Sequence, residues 1–355
     1  MLINMMNRTF AILDLGSREI TAVAVERGKS GDYVSKEFLV CSSKGIPNGT
    51  VNDMSMAADS ISDVVGKLSE KTGKKIHEVH VTVSSSSVEL VSSRGTILLS
   101  KYGREILPRD VEKCVRVGSV VKTPFGKGVL HRIVREFSVD SVSGVKKPIG
   151  LEGLKMGVTV SVIVMDLSVM RNLEKCIALA GYNAGKIVFS GIAGSYRAIP
   201  LETGDEGVCF VNIRGSLAEA VIFRHASPVD CRVLSFGVDK NAFLIDGENL
   251  GGMRKLSEML ASMSGWNNTG TIVVSGEGEI NEEVIGGLRS MTGRVVSHGI
   301  CSSRPFEHLP TDRMRYIGCL GVLDYLQAAN CLKRGEANPV KWFSNRVISF
   351  MDKYF

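Results

Sequence analysis

Phe10-Ala11-Ile12-Leu13-Asp14-Leu15-Gly16-Ser17-Arg18-Glu19-Ile20-Thr21-Ala22-Val23-Ala24-Val25 reads as a buried strand, a tight glycine turn and a second strand returning antiparallel. Apolar and β-branched residues fill both arms without helical spacing, which predicts a hairpin. Asp14, Gly16, Ser17 and Arg18 then sit at the end of a strand, where a carboxylate and backbone N–H groups can face a phosphate or its metal. Gly16 permits close approach of the backbone. Alone, an Asp-x-Gly turn between strands is common and more often serves as a turn and nothing else.

The same plan recurs further along. Val208-Cys209-Phe210-Val211-Asn212-Ile213-Arg214-Gly215-Ser216, followed by Ala218 to Phe223, is again strand, glycine turn, strand, which suggests an internal duplication. A third strand, Thr271 to Ser275, delivers Gly276-Glu277-Gly278. Between these markers the periodicity alternates. Helical spacing is predicted for Asn52 to Ser69 behind the cap candidates Asn52 and Asp53, for Pro108 to Val121, for Leu167 to Ala180 ending at Gly181, for Met253 to Met263 and for Met314 to Ala329. Strands are predicted at His80 to Val88, Gly95 to Leu99, Val129 to Asp140 and Met156 to Met165, and a polar glycine-bearing loop at Asp246 to Gly252. Interleaved strands and helices imply an α/β layered protein with parallel pairs.

A chain of 355 residues can bury two cores, and 44% hydrophobic with 23% charged residues suits a folded protein. The eight cysteines have no paired close spacing that would seed a zinc site, and most lie in apolar surroundings, as reduced cytosolic thiols do. The six histidines show no metal spacing either. Met1 to Phe10 lacks a secretory pattern, and no run of about twenty apolar residues offers a membrane-spanning helix. A net charge of +6 favours anionic lipid but is too weak to argue for nucleic acid.

The three glycine turns stand in the order used by the actin, sugar-kinase and heat-shock-chaperone superfamily, and within it the chain resembles FtsA, the bacterial cell-division membrane anchor. Ser43-Lys44-Gly45-Ile46-Pro47-Asn48-Gly49-Thr50-Val51-Asn52-Asp53 is similar to the approach to that family's first helix. Val81 to Ser84, Arg94-Gly95, Glu136 to Asp140 and Lys147 to Met156 are similar to its inserted subdomain, 1C. Ala180 to Tyr182 with Val188 to Tyr196, and Tyr316 to Leu323, resemble its two connections between lobes. The resemblance implies a two-lobed actin-like ATPase fold of class α/β with an FtsA-type 1C insert. Its division of the chain is 1–78 for the first part of the first lobe and 79–165 for 1C. Residues 166–329 then make the second lobe and the return, 330–338 a linker and 339–355 a C-terminal amphipathic helix.

It further implies ATP with Mg2+ between the lobes, against Asp14, Gly16, Ser17, Arg18, Asn212, Arg214, Gly215, Ser216, Ser275, Gly276 and Gly278. The chain departs from the family where its second phosphate turn would carry an acid and a glycine, for here stand Asn212 and Arg214, and Glu277 interrupts the paired glycines of the adenosine turn. Phe236 to Ser275 is also shorter than in FtsA, so that the fourth subdomain, which docks FtsZ, is largely missing. Hydrolysis is therefore expected to be weak or absent and no catalytic residue is assigned. Arg214 beside Ser216 can hold a phosphate through charged hydrogen bonds, or be a solvated turn residue.

The chain closes on Asn338-Pro339-Val340-Lys341-Trp342-Phe343-Ser344-Asn345-Arg346-Val347-Ile348-Ser349-Phe350-Met351-Asp352-Lys353-Tyr354-Phe355. Asn338 can cap and Pro339 start a helix. At about 100° per residue Val340, Phe343, Val347, Ile348, Phe350, Met351, Tyr354 and Phe355 share one face, with Trp342 off the arc and Lys341, Arg346 and Lys353 opposite. Such a helix suits the interface of an anionic membrane. The alternative is a helix packed on the protein's own body. The expected role is a tether and scaffold for the division machinery at the cytoplasmic face of the cell membrane. It would self-associate into filaments through 1C, with FtsZ or another division protein as partner. An active actin-like cytoskeletal ATPase and a scaffold like PilM of pilus assembly are the alternatives.

Overall fold

The predicted hairpin forms with Leu15 opposite Ile20 and a turn closed by the Gly16 amide donating to the Glu19 carbonyl at 3.0 Å. The computed structural model describes residues 9–28, 33–199, 206–214, 217–235, 251–276, 280, 282–299 and 312–333. Strands β1 (Thr9–Leu15), β2 (Glu19–Arg27) and β3 (Tyr33–Ser42) run as an antiparallel meander into helix α1 (Met54–Thr72). Asp53 caps that helix by accepting from the Met56 amide at 2.9 Å, and Gly73 ends it at φ 63°, a conformation glycine adopts without Cβ strain.

Strand β4 (Glu78–Val83) then pairs parallel with β1. The boundary expected at 79 is corrected by this pairing: the apolar strand opening at Val79 belongs to the first lobe, and the insert begins after it. The insert comprises β5 (Glu89–Leu98), β6 (Arg104–Glu105), α2 (Pro108–Gly118), β7 (Lys127–Val139), β8 (Val142–Val145), β9 (Glu152–Gly153) and β10 (Lys155–Asp166). Its sheet, in order β5-β10-β7-β8, packs α2 over a core of its own that includes Ile106, Val115, Val134 and Met156. Helix α3 (Leu167–Leu179) and strand β11 (Asn183–Phe189) return to the first sheet, whose order is β11-β4-β1-β2-β3.

After α4 (Ser190–Ala198) the plan repeats as β12 (Gly207–Arg214), β13 (Leu217–Arg224), β14 (Ser227–Ser235), α5 (Gly251–Ser262), β15 (Thr269–Gly276), α6 (Glu282–Thr292) and β16 (Val295–His298). The second sheet, β14-β13-β12-β15-β16, has the strand order and directions of the first. The duplication read from two similar hairpins thus extends to whole lobes. Among the described residues, α5 and one 3-10 turn are all that lie between β14 and β15. Every residue of β1 and of β12 is buried, because helices or partner elements cover both faces of each sheet, which is why neither strand alternates polar with apolar.

Helix α7 (Ile317–Lys333) crosses back and packs on α4. A Cβ at Gly321 would overlap the Ala193 backbone carbonyl, an obstacle that cannot rotate away. Gly321→Ala gains up to about 1 kcal/mol of helix propensity but forces the helices apart, typically costing about 1–3 kcal/mol. A net loss in the urea midpoint is therefore expected, whereas Gly66→Ala on the open face of α1 should raise it.

The insert is tied to the first lobe through His131 of β7, whose Nε2 accepts from the Phe189 amide at 2.9 Å. Burial, followed by the charge of Lys186, pushes its imidazole down to about 3, and the same two causes push His80 down to about 4. An unfolded imidazole titrates near 6.5, so as pH falls the unfolded state takes up the proton first. Stability from both groups is full above about pH 6.5 and is lost as pH falls toward their folded values. Urea titrations between pH 6 and 4.5 should show His131→Gln losing about 1.4 kcal/mol less stability per pH unit than the parent chain.

Candidate functional site: the cleft between the lobes

The two hairpin ends bring Asp14 of β1 and Arg214 of β12 face to face across the lobes. Arg214 Nη1 donates to Asp14 Oδ1 at 2.7 Å, and both residues are less than a tenth exposed. Thr82 of β4 also donates to Oδ1, and the first turn of α7 lies so close to the other oxygen that a Cβ at 318 would displace the carboxylate. A second cross-connection joins Arg315, just before α7, to Glu19, with Nε donating at 2.8 Å. Arg214 is thus neither a solvated turn residue nor a side chain reaching for solvent.

Asn212 lies one pleat behind, opposite Glu219 in the β12–β13 register, and its Nδ2 donates to Glu219 Oε2 at 3.2 Å. Ser190, the first residue of α4, donates to the other carboxylate oxygen. Glu219 is fully buried, and burial pushes its carboxyl up, opposed by the charge of Arg214 and the hydrogen bonds from Ser190 and Asn212. Sequence reasoning passed over Glu219, although an acid inside the apolar run Leu217-Ala218-Glu219-Ala220-Val221-Ile222-Phe223 was itself a signal of a buried polar network.

Of the other expected site residues, Gly16 closes its turn, and the Ser17 hydroxyl accepts from the Asn48 amide at 3.1 Å. Arg18 is exposed, its carbonyl accepting from Ser43. Ser275 is buried and Gly276 reaches the cleft wall. Gly215, Ser216 and Gly278 lie outside the described residues. So do Lys341, Trp342, Phe343, Arg346, Val347, Ile348, Phe350, Met351 and Lys353, and with them the whole C-terminal segment expected to form the amphipathic helix.

Asp14, Glu19, Asn212, Arg214, Gly276 and Arg315 enclose a space of about 20 Å³. That holds a water molecule, against roughly 300–1,000 Å³ for an ordinary ligand pocket. Among the described residues no group of three His, Cys, Asp or Glu side chains is placed to hold a metal. The two carboxylates that line this space are each already paired with a guanidinium, Asp14 with Arg214 and Glu19 with Arg315. ATP with Mg2+ does not fit this arrangement of the described residues.

The Glu219 network gives a test. Since burial pushes the carboxyl toward its neutral form, Glu219→Gln should stay within about 1 kcal/mol of the parent chain in chemical denaturation. Glu219→Ala, which removes the acceptor of the Asn212 amide and leaves Ser190 only its longer bond to the Val83 carbonyl, should lose about 1–3 kcal/mol or more. A Gln variant as damaged as the Ala variant would show that the charge itself is needed.

Comparison with known proteins bears on the insert first. Residues 85–164 match the family described as the SHS2 domain inserted in FtsA. The chain is 28% identical to the cell division protein FtsA of Borreliella burgdorferi over 64% of its own length and 55% of that protein. It is 25% identical to the FtsA proteins of Pseudomonas aeruginosa and Escherichia coli K12, over 59% of its length and 50% of theirs. The matches thus span about half the length of these curated relatives. Among solved structures, the PilM–PilN type IV pilus biogenesis complex superposes with a TM-score of 0.60 over 88% of this chain and 97% of that one, at 15% identity, a likeness of fold alone. Two lobes of repeated topology around a cleft give the chain the actin-like fold, and its insert and about three fifths of its length are similar to the FtsA cell division proteins.

Proposed function

We propose that the chain is a membrane tether and scaffold for the bacterial cell-division machinery, acting at the cytoplasmic face of the membrane. The observation that carries this reading is the insert: a separately cored domain on the first lobe, matching the SHS2 domain of FtsA, in a chain whose curated relatives are cell division proteins. The tether itself is residues 339–355, with Trp342, Phe343, Val347, Ile348, Phe350 and Met351 entering the lipid boundary and Lys341, Arg346 and Lys353 meeting anionic head groups. Self-association into filaments proceeds through the insert, since a head-to-tail contact need not close. FtsZ or another division protein is the partner. The turns at Asp14 to Arg18, Asn212 to Ser216 and Ser275 to Gly278 would face a nucleotide only if Arg214 left Asp14, so turnover of ATP is weak or absent. A steady turnover near 1 per second, ordinary for an enzyme, would favour an active cytoskeletal ATPase instead.

Each large side chain buried in the interface contributes about 1.5–3 kcal/mol, and each basic residue near anionic lipid about 1 kcal/mol. Co-sedimentation with anionic liposomes should therefore be lost on truncation after Asn338 and in Phe343→Glu/Phe350→Glu, with the melting temperature unchanged. A double variant that melts earlier yet still binds lipid would place the segment in the protein core and end the tether reading.

A further inference from the structure

The cleft that an actin-like fold would close around a nucleotide is bridged here by the chain's own charges. Asp14 stands at the end of β1 in the first lobe and Arg214 at the end of β12 in the second, 200 residues apart in sequence, with Nη1 and Oδ1 at 2.7 Å and both side chains buried. Thr82 of the first sheet adds a hydrogen bond to the same carboxylate oxygen. Arg315 and Glu19 make a second bridge along the same seam. What remains is about 20 Å³, one water's worth.

We propose that Arg214 is a built-in latch: its guanidinium, ion-paired with Asp14 across the lobes, supplies in cis the positive charge that a nucleotide-bound cation would bring, so that the lobes close without nucleotide. A guanidinium suits this task better than a lysine, because its planar donors stay charged when desolvated and keep a fixed direction. A buried pair also resists opening, since separating it leaves an uncompensated carboxylate in a poorly solvated place. The lobe arrangement of this protein is consequently set by sequence and not by the state of a bound phosphate. The inference concerns the cleft alone and stands or falls independently of lipid attachment.

Melting curves and small-angle scattering of the full chain, with and without millimolar MgATP, test it. The parent chain should show the same melting temperature and radius of gyration in both conditions, because any ligand that binds the folded state must raise its stability. Arg214→Gln and Asp14→Asn should each lower the melting temperature and enlarge the particle. The double variant, with two neutral amides able to pair, should recover part of the loss, giving a non-additive cycle. A parent chain that melts higher or contracts with MgATP overturns the latch, as does strict additivity of the two substitutions. If the single variants do not fold, calorimetric titration of the parent chain with MgATP decides: no binding heat upholds the proposal and saturable binding ends it.

Discussion

The relation between the lobes depends on how closely α4 and α7 approach. These helices follow the fifth strand of the first and second sheet respectively, so each is the other's counterpart in the repeated plan, and they meet where the Gly321 side leaves room for the Ala193 carbonyl. Inside that contact Arg197 of α4 faces Asp324 of α7, with Nη1 at 3.1 and 3.3 Å from the two carboxylate oxygens and almost no solvent exposure. A buried pair of this kind adds little net stability over an apolar contact of the same shape, yet losing either partner strands a charge. Its consequence is geometric: one rotation and one height of α7 on α4 satisfy both groups. Once that is set, Gly318 at the start of α7 is brought against Asp14, and the hairpin ends have one way to face each other.

The insert is held differently. One face of its sheet packs on a core of its own. The insert is attached by apolar packing, with Ile133, Ile163 and Met165 joining the core of the first lobe, and by polar contacts: His131 to the Phe189 amide in the first lobe, Ser161 Oγ donating to the Pro228 carbonyl of β14 at 2.7 Å, and Lys146 Nζ donating to the His225 carbonyl at 3.2 Å in the second. The insert therefore leans on both lobes while being covalently continuous with one. A motion that opened the cleft would have to break either the contacts of β14 with the insert or those of β7 with β11. Two separate restraints thus act on the same hinge, the helix pair at the base and the insert along the side.

Local chemistry made much of this legible in the sequence. Asp53 before α1, Pro108 at the start of α2 and the Leu15–Ile20 register of the first hairpin are decided by neighbours within a few residues. The assignments that failed or fell short were decided at long range. Val79 to Val83 is an apolar strand whichever sheet receives it, and only pairing with β1 and β11 places it in the first lobe. Asn183 to Phe189, interrupted by Gly185 and Lys186, reads as a connection and becomes a strand because β4 offers it a parallel edge. The sequence leaves a phosphate ligand and a solvated turn residue both open for Arg214. Its partner lies 200 positions upstream, where no sequence window reaches.

The charges at the centre of the cleft are mutually adjusted. An acid at position 212 would sit directly across from Glu219 and within the same buried pocket as Asp14, so that three carboxyls would share a space with little solvent to screen them. Such a cluster asks for an external cation. With asparagine at 212, one potential charge is removed and its amide instead donates to Glu219, whose carboxyl is pushed by burial toward the neutral form. The remaining anion, Asp14, is answered by Arg214. Asn212 and Arg214 thus complement each other: the first donates to Glu219 without adding a charge, and the second answers Asp14. Either alone would leave the pocket unbalanced, with Arg214 beside two acids competing for it, or with Asp14 buried and unanswered.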